Sequence, residues 1–202
     1  MVNLEFKPKD FVHLHLHSDY SLLQSAIQLE PLAERLAELE MRACAITDYG
    51  NMYGAISFYN TMKRARIRPI IGYEAFVATG SRFDKSSSSA GGERPVYNLV
   101  LLAKDFTGYQ NIVRLASRAF TEGLYHKPRI DKDLLSRYSG GIIALSGGTD
   151  GRVMQKLLEG DSKGAADYAG EMSEIFGPGN FYLEIQDHEI EDERRANRSL
   201  IE

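Results

Sequence analysis

The chain has 202 residues, 43% of them apolar and 26% charged, which is the makeup of a soluble globular domain long enough to bury a sizeable core. A net charge of −4 excludes a domain that grips nucleic acid by bulk positive charge, and a single cysteine, Cys44, excludes an internal disulfide framework and suits a reducing compartment. No apolar run is long enough to cross a bilayer, and Glu5, Lys7, Lys9 and Asp10 interrupt any secretory segment, so a cytoplasmic protein without membrane contact is expected.

The first chemically distinctive stretch is FVHLHLHSDYS over 11–21, in which His13, His15 and His17 alternate with Val12, Leu14 and Leu16. Strand side chains alternate between faces, so the spacing predicts three imidazoles on one face and three aliphatic residues turned into a core. A lone strand histidine is ordinarily a surface or satisfied core residue. Three in alternation are a different matter, because neutral imidazoles bind borderline divalent metals well. One strand cannot complete a coordination sphere, so later segments have to supply the remaining ligands.

A connector over 24–29 leads into a helix over 31–41, with Leu32, Leu36 and Leu39 at helical spacing and Pro31 in the tolerated first turn. A short buried strand over 42–47 ends at Asp48-Tyr49-Gly50-Asn51. A second helix over 53–65 is read from the period of Ile56, Tyr59, Met62 and Lys63, and a third strand follows over 69–77. The stretch 79–95 contains KSSSSAGG, too polar to order itself by burial, and is expected to be a mobile surface loop inside one domain. Then come a strand over 98–103, a helix over 107–121 with Ile112, Leu115, Ala116 and Ala119 on one face, and a short helix over 131–138. A strand over 141–145, helices over 151–158 and 163–176, a strand over 181–186 and a charged helix over 191–201 complete the chain.

Strand and helix thus alternate about six times, which predicts a parallel α/β architecture. His15, His17, Asp48, Glu74, Ser146 and the Asp187-His188 pair fall at strand C-terminal ends, where both (β/α) barrels and open doubly wound sheets carry chemistry. Glu74 and His188 are plausible ligands, although each alone is ordinarily a solvated residue. Asp48 before Gly50-Asn51 also fits turn chemistry. Ser146-Gly147-Gly148-Thr149 offers only a weak anion nest. The basic run KRARIR over 63–68 reads first as a solvated helix end, as does the turn HKPR over 126–129. There is no defensible Ser-His-Asp or Cys-His arrangement and no phosphate-binding G-x-x-x-x-G-K-[ST] loop, so no catalytic residue is assigned.

The stretch FVHLHLHSDYSLL over 11–23 resembles the first motif of the PHP (polymerase and histidinol phosphatase) superfamily. More narrowly it resembles the N-terminal domain of bacterial DNA polymerase III alpha subunits, the C-family polymerases. AITDYGNMYG (45–54), PIIGYEA (69–75), LAKDFTGYQN (102–111) and KPRID (127–131) agree with that branch. The resemblance implies an α/β fold of the PHP type: a distorted (β/α)7 barrel, here truncated at its C-terminal end, with 1–202 one incomplete PHP domain. Its rim can hold a small metal cluster, and His15, His17, Glu74 and His188 match ligands of it. Four positions depart from the pattern: Gln24 stands for an Asp, Tyr49 and Asn98 for His, and Gly148 for a Cys. So depleted a set implies a degraded site with at most one weakly held Zn or Mn ion.

The resemblance further implies a parent DNA-directed DNA polymerase, a nucleotidyltransferase using Mg for polymerisation outside these residues. The domain alone would be inactive. It would serve as a scaffold for the remainder of the alpha chain, meet DNA through the parent polymerase, and dock the proofreading exonuclease subunit. The alternative is an active metal-dependent phosphoesterase or 3′–5′ exonuclease.

Overall fold

The computed structural model describes residues 7–85 and 96–201. After a 3-10 turn (Pro8–Asp10), the elements run α1 (Leu29–Glu38), β1 (Ala43–Ile46), α2 (Ala55–Arg64), β2 (Arg68–Ala78), β3 (Val96–Ala103) and α3 (Phe106–Thr121). They continue with β4 (Leu124–Tyr125), β5 (Lys127–Ile130), α4 (Lys132–Tyr138), β6 (Ile142–Leu145), α5 (Arg152–Leu158), α6 (Ser162–Phe176), β7 (Phe181–Tyr182) and α7 (Glu191–Ile201). The expected α/β class holds.

The sheet is ordered β4-β5-β2-β3-β6-β7, with β1 also paired to β2. It is mixed rather than parallel: β3 runs antiparallel to both β2 and β6, while β1–β2, β2–β5 and β6–β7 are parallel. A parallel return needs a crossover, usually helical, and no helical periodicity lies between the third and fourth predicted strands. Counting alternation hid that break. Residues 86–95 of the loop expected there lie outside the described residues; the part just after β2 is tied down by Arg82, which is buried and paired with Asp131 at 2.9 Å and Glu122 at 2.8 Å.

β2 positions everything else. Its alternate residues Tyr73, Ala75 and Val77 join Tyr97, Leu99 and Leu101 of β3 in the main core, beneath Ile112, Leu115 and Ala119 of α3. The other face of the same strands carries Glu74, Phe76, Asn98, Val100 and Leu102, with Val100 and Leu102 packed on Ala45 and Leu145. One face of the sheet is thus dry and helix-covered, and the other holds the polar residues. Among the described residues the sheet does not close on itself. The opening segment and the stretch after β7 flank an open trough of about 960 Å³.

Three local expectations are corrected. The histidine stretch is not a regular strand: it makes one isolated bridge, His13 to Cys44. His13 O accepts from Ala45 N and Leu16 O from Thr47 N, so a step of two residues from Ala45 to Thr47 is matched by a step of three in the opening segment. That extra residue is a bulge, and it breaks the alternation between His13 and the later pair. Leu16 packs into the core while Leu14 stays exposed. In α2 the buried face is Ala55, Phe58, Thr61 and Met62, leaving Ile56 and Tyr59 exposed. The last expected strand is laddered only at Phe181–Tyr182; Glu184 N instead donates to Ser146 Oγ at 2.9 Å.

Candidate metal centre

The centre is built on Glu74, buried in the middle of β2. Its Oε2 meets His15 Nε2 at 3.0 Å and His17 Nε2 in a shorter contact. Its Oε1 accepts from Asn98 Nδ2 at 2.8 Å. Asn98 reaches it because β2 and β3 pair Glu74 with Val100 and Phe76 with Asn98, which sets the two polar side chains diagonally on one face. One ligand atom from each of His15, His17 and Glu74 falls within 4.8 Å of the others.

The opening segment supplies the imidazoles, and the stretch after β7 fixes one of them. His15 Nδ1 lies 2.7 Å from Glu184 Oε1, which also accepts from Gln186 Nε2 at 2.7 Å. With Nδ1 donating to a carboxylate, Nε2 is the nitrogen left toward Glu74, and such a carboxylate partner fixes the orientation of a liganding histidine. Glu184 Oε2 is buried without a hydrogen-bond partner among the described residues. Glu184 is the residue that sequence reasoning missed. Its period-two spacing from Tyr182 and Gln186 was available, but nothing in one sequence marks a glutamate as facing a histidine 169 positions away.

The remaining candidates go elsewhere. His188 lies outside the group: its side chain is 65% exposed, and its Nδ1 lies 2.8 Å from Oε1 of the buried Glu193. His13 packs edge-on against Phe11, and burial lowers its pKa. Asp48 is consumed by the turn that follows the histidines, accepting from Ser18 N at 2.8 Å and Ser21 Oγ at 2.7 Å. Gln24 is exposed. Tyr49 stacks edge-on with His17 and Phe76, and its hydroxyl lies 3.2 Å from Asn98 Nδ2. A Cβ on Gly148 would meet Gln186 Oε1 at 2.1 Å, so Gln186 fills the space a liganding side chain at 148 would need.

Burial by itself would raise the pKa of Glu74, but His15 and His17 reverse this and bring it down to about 2. Burial by itself would lower that of His15, and the carboxylates of Glu184 and Glu74 instead hold it up to about 10. Without metal, a protonated imidazolium ring therefore stands between two carboxylates, one N–H toward each. The donor set, two imidazole nitrogens and one carboxylate, fits one divalent ion with open positions.

Comparison with known proteins gives the family. The PHP domain family profile matches residues 13–188. DNA polymerase III alpha subunits of Treponema pallidum, Deinococcus radiodurans and Thermus aquaticus are 42%, 44% and 44% identical over 95%, 96% and 95% of the chain. The chain spans about a sixth of the length of these relatives (16%, 15% and 16%). A structure from Bifidobacterium adolescentis described as a metal-dependent phosphoesterase aligns over 94% of this chain and 82% of its own, at TM-score 0.47 and 8% identity. The profile match takes in every side chain that converges on Glu74, and the chain belongs to the PHP domain family.

Proposed function

We propose that this chain is the PHP domain of a bacterial DNA polymerase III alpha subunit and acts there as a scaffold with a reduced metal centre. The observation that carries the reading is the fate of Tyr49 and Asn98. Both stand beside Glu74, where the Asn98 amide N–H groups donate to that carboxylate and to the Tyr49 hydroxyl, and one ligand atom from each of His15, His17 and Glu74 comes within reach of a single ion. The extent of similarity to alpha subunits supports the placement in such a parent chain.

In this reading His15, His17 and Glu74 hold at most one Zn or Mn ion, weakly, and Glu184 orients His15. When bound, the ion would supply Lewis-acid polarisation of a phosphate oxygen. Among the chain's own residues, His15 is pinned between the carboxylates of Glu74 and Glu184. The parent polymerase would transfer nucleotides with Mg bound elsewhere, in a bacterial cytoplasm. Its partners would be the remainder of the alpha chain, DNA and the proofreading exonuclease subunit.

Elemental analysis of purified chain after dialysis without chelator tests this. One equivalent or less of zinc or manganese is expected, together with no Mn²⁺-stimulated hydrolysis of p-nitrophenyl phosphate or of a primer 3′ end. Two or more tightly held equivalents, or hydrolysis abolished by His15→Ala, would replace the scaffold by an active phosphoesterase.

A further inference from the structure

The turn after the histidines holds two leucines that its own packing does not use. Leu22 is 81% exposed and Leu23 102%, and Leu23 has φ at +63°, a left-handed conformation that glycine adopts freely and leucine does not. Hydrogen bonds nevertheless fix this turn from both sides. The buried Asp48 accepts from Ser18 N at 2.8 Å, Ser18 Oγ at 2.9 Å and Ser21 Oγ at 2.7 Å, and Ser21 Oγ in turn accepts from Tyr49 N at 2.9 Å. Ser25 Oγ donates to His17 O at 2.7 Å, and Asn51 Nδ2 to Tyr20 O at 3.1 Å. Two bulky apolar side chains are thus held out in water, one on strained backbone, and no burial among the described residues offsets that cost.

The leucines are one end of a larger patch. Tyr20 lies against Gly54, where a Cβ would meet its Cδ2 at 2.9 Å. The adjoining Tyr53 is 67% exposed, and its ring centroid lies 6.2 Å from that of Phe120 on α3. Residues 18–27 and 49–54 carry most of this surface, and Asp19 is the one charged residue among those 16, in a chain 26% charged. Interfaces between separate, exchanging proteins keep a polar rim and complementary charge, whereas permanent ones are more apolar. An anchor on anionic lipid would need Lys or Arg beside the leucines, and neither segment has one. The chain spans about a sixth of the length of the alpha subunits it matches, so most of such a polypeptide lies outside these residues and is tethered to them. Tethering presents a matching surface at an effective concentration on the order of millimolar, an advantage over any free partner.

We propose that Leu22, Leu23 and Tyr53 seat an apolar surface on the remainder of the same, longer polypeptide, in a permanent contact centred on the Leu22–Leu23 turn. This rests on the reading of the chain as one domain of an alpha subunit. It does not depend on whether the metal centre holds an ion.

Cysteine labelling of the full-length gene product tests this. Leu23→Cys is placed in the longer chain and in the 202-residue chain, and its reaction with a maleimide is followed by mass spectrometry of the tryptic peptide that carries it. The native Cys44 is buried and falls on a different peptide. Circular dichroism checks each variant, and Tyr53→Cys is the second position if the first fails to fold. Labelling at least about tenfold slower in the longer chain is expected, since only local opening would admit the reagent to a covered site. Leu22→Glu/Leu23→Glu should lower the thermal midpoint of the longer chain and leave that of the 202-residue chain unchanged or higher. Equal labelling rates in the two chains would overturn the proposal. So would protection that appears only on adding the proofreading exonuclease subunit or phosphatidylcholine–phosphatidylglycerol vesicles, or that grows with protein concentration in both chains as a dimer's would. Each of those results leaves the assignment to an alpha subunit standing. A gene that ends at residue 202 would instead remove that assignment, and the proposal with it.

Discussion

Glu74 and His15 keep opposite charges because each is the other's counterion in a place where burial alone would neutralise both. This has a pH signature in the metal-free protein. The raised pKa of His15 contributes stability fully below its unfolded value near 6.5, and loses it as pH climbs toward about 10. The depressed pKa of Glu74 contributes fully above its unfolded value near 4.5, and loses it as pH falls toward about 2. The gap in thermal midpoint between wild type and His15→Gln should be widest between those unfolded values and should shrink steadily on the alkaline side. A gap that grows with pH would mean that His15 is neutral in the fold. Metal competes with the same proton, so zinc affinity by calorimetry should rise with pH.

Glu184→Gln removes the carboxylate that orients His15, and zinc should bind about 10–100-fold more weakly with little change in fold. Unchanged affinity would reduce Glu184 to a bystander. At this scale the sequence disclosed the residue types and not the roles. The alternation of His15 and His17 was readable, and so was Glu74. His13 was lost to a one-residue bulge, and Glu184 depends on a contact made only when the two ends of the sheet approach.

At the scale of elements, amphipathic periodicity served well where one face alone is apolar. α3 buries Ile112, Leu115, Ala116 and Ala119 as its sequence predicts. α2 misled because both of its faces carry large apolar residues: Phe58 and Met62 go inward, Ile56 and Tyr59 outward. The motif KPRID is a case of a pattern whose meaning needs the fold. Asp131 caps α4 by accepting from Leu134 N at 3.1 Å and holds Arg82 through Nη1 and the backbone N. Arg129, equally buried, donates to the carbonyls of Gly123, Arg82 and Asp84. The two arginines clamp the chain just after β2 to β5 and to the helix cap that follows it. Asp131→Ala would leave Arg82 only Glu122 and the longer contact to the exposed Asp133 at 3.5 Å, would uncap α4, and should cost about 3–5 kcal/mol in urea unfolding, as breaking a buried pair does. Asp131→Asn keeps an acceptor for the cap and should cost less. A loss below about 1 kcal/mol for the alanine variant would show the clamp to be a solvated surface pair.

For the whole molecule, the mixed sheet separates stability from the centre. The main core, from Tyr73 and Leu101 to Met172 and Phe176, lies on the helix-covered face, and the metal ligands lie on the other. Nothing in the main core depends on an ion, whereas in small metal-folded domains the ligands are the core. Stripping the protein with a chelator should therefore leave one cooperative transition, with a midpoint moved by no more than about 2–4 °C, the shift for a loss of ~1 kcal/mol in a chain of this size. Added zinc should raise the midpoint only by mass action, adding about 2.7 kcal/mol of stability at a hundredfold excess over its dissociation constant. His15→Ala and Glu74→Gln should abolish that increment while the chelated proteins stay folded. If chelation instead unfolded the wild type, the sheet would need its ion to bring the opening segment to the stretch after β7. The His15–Glu184 contact would then be a consequence of metal binding rather than what remains without it.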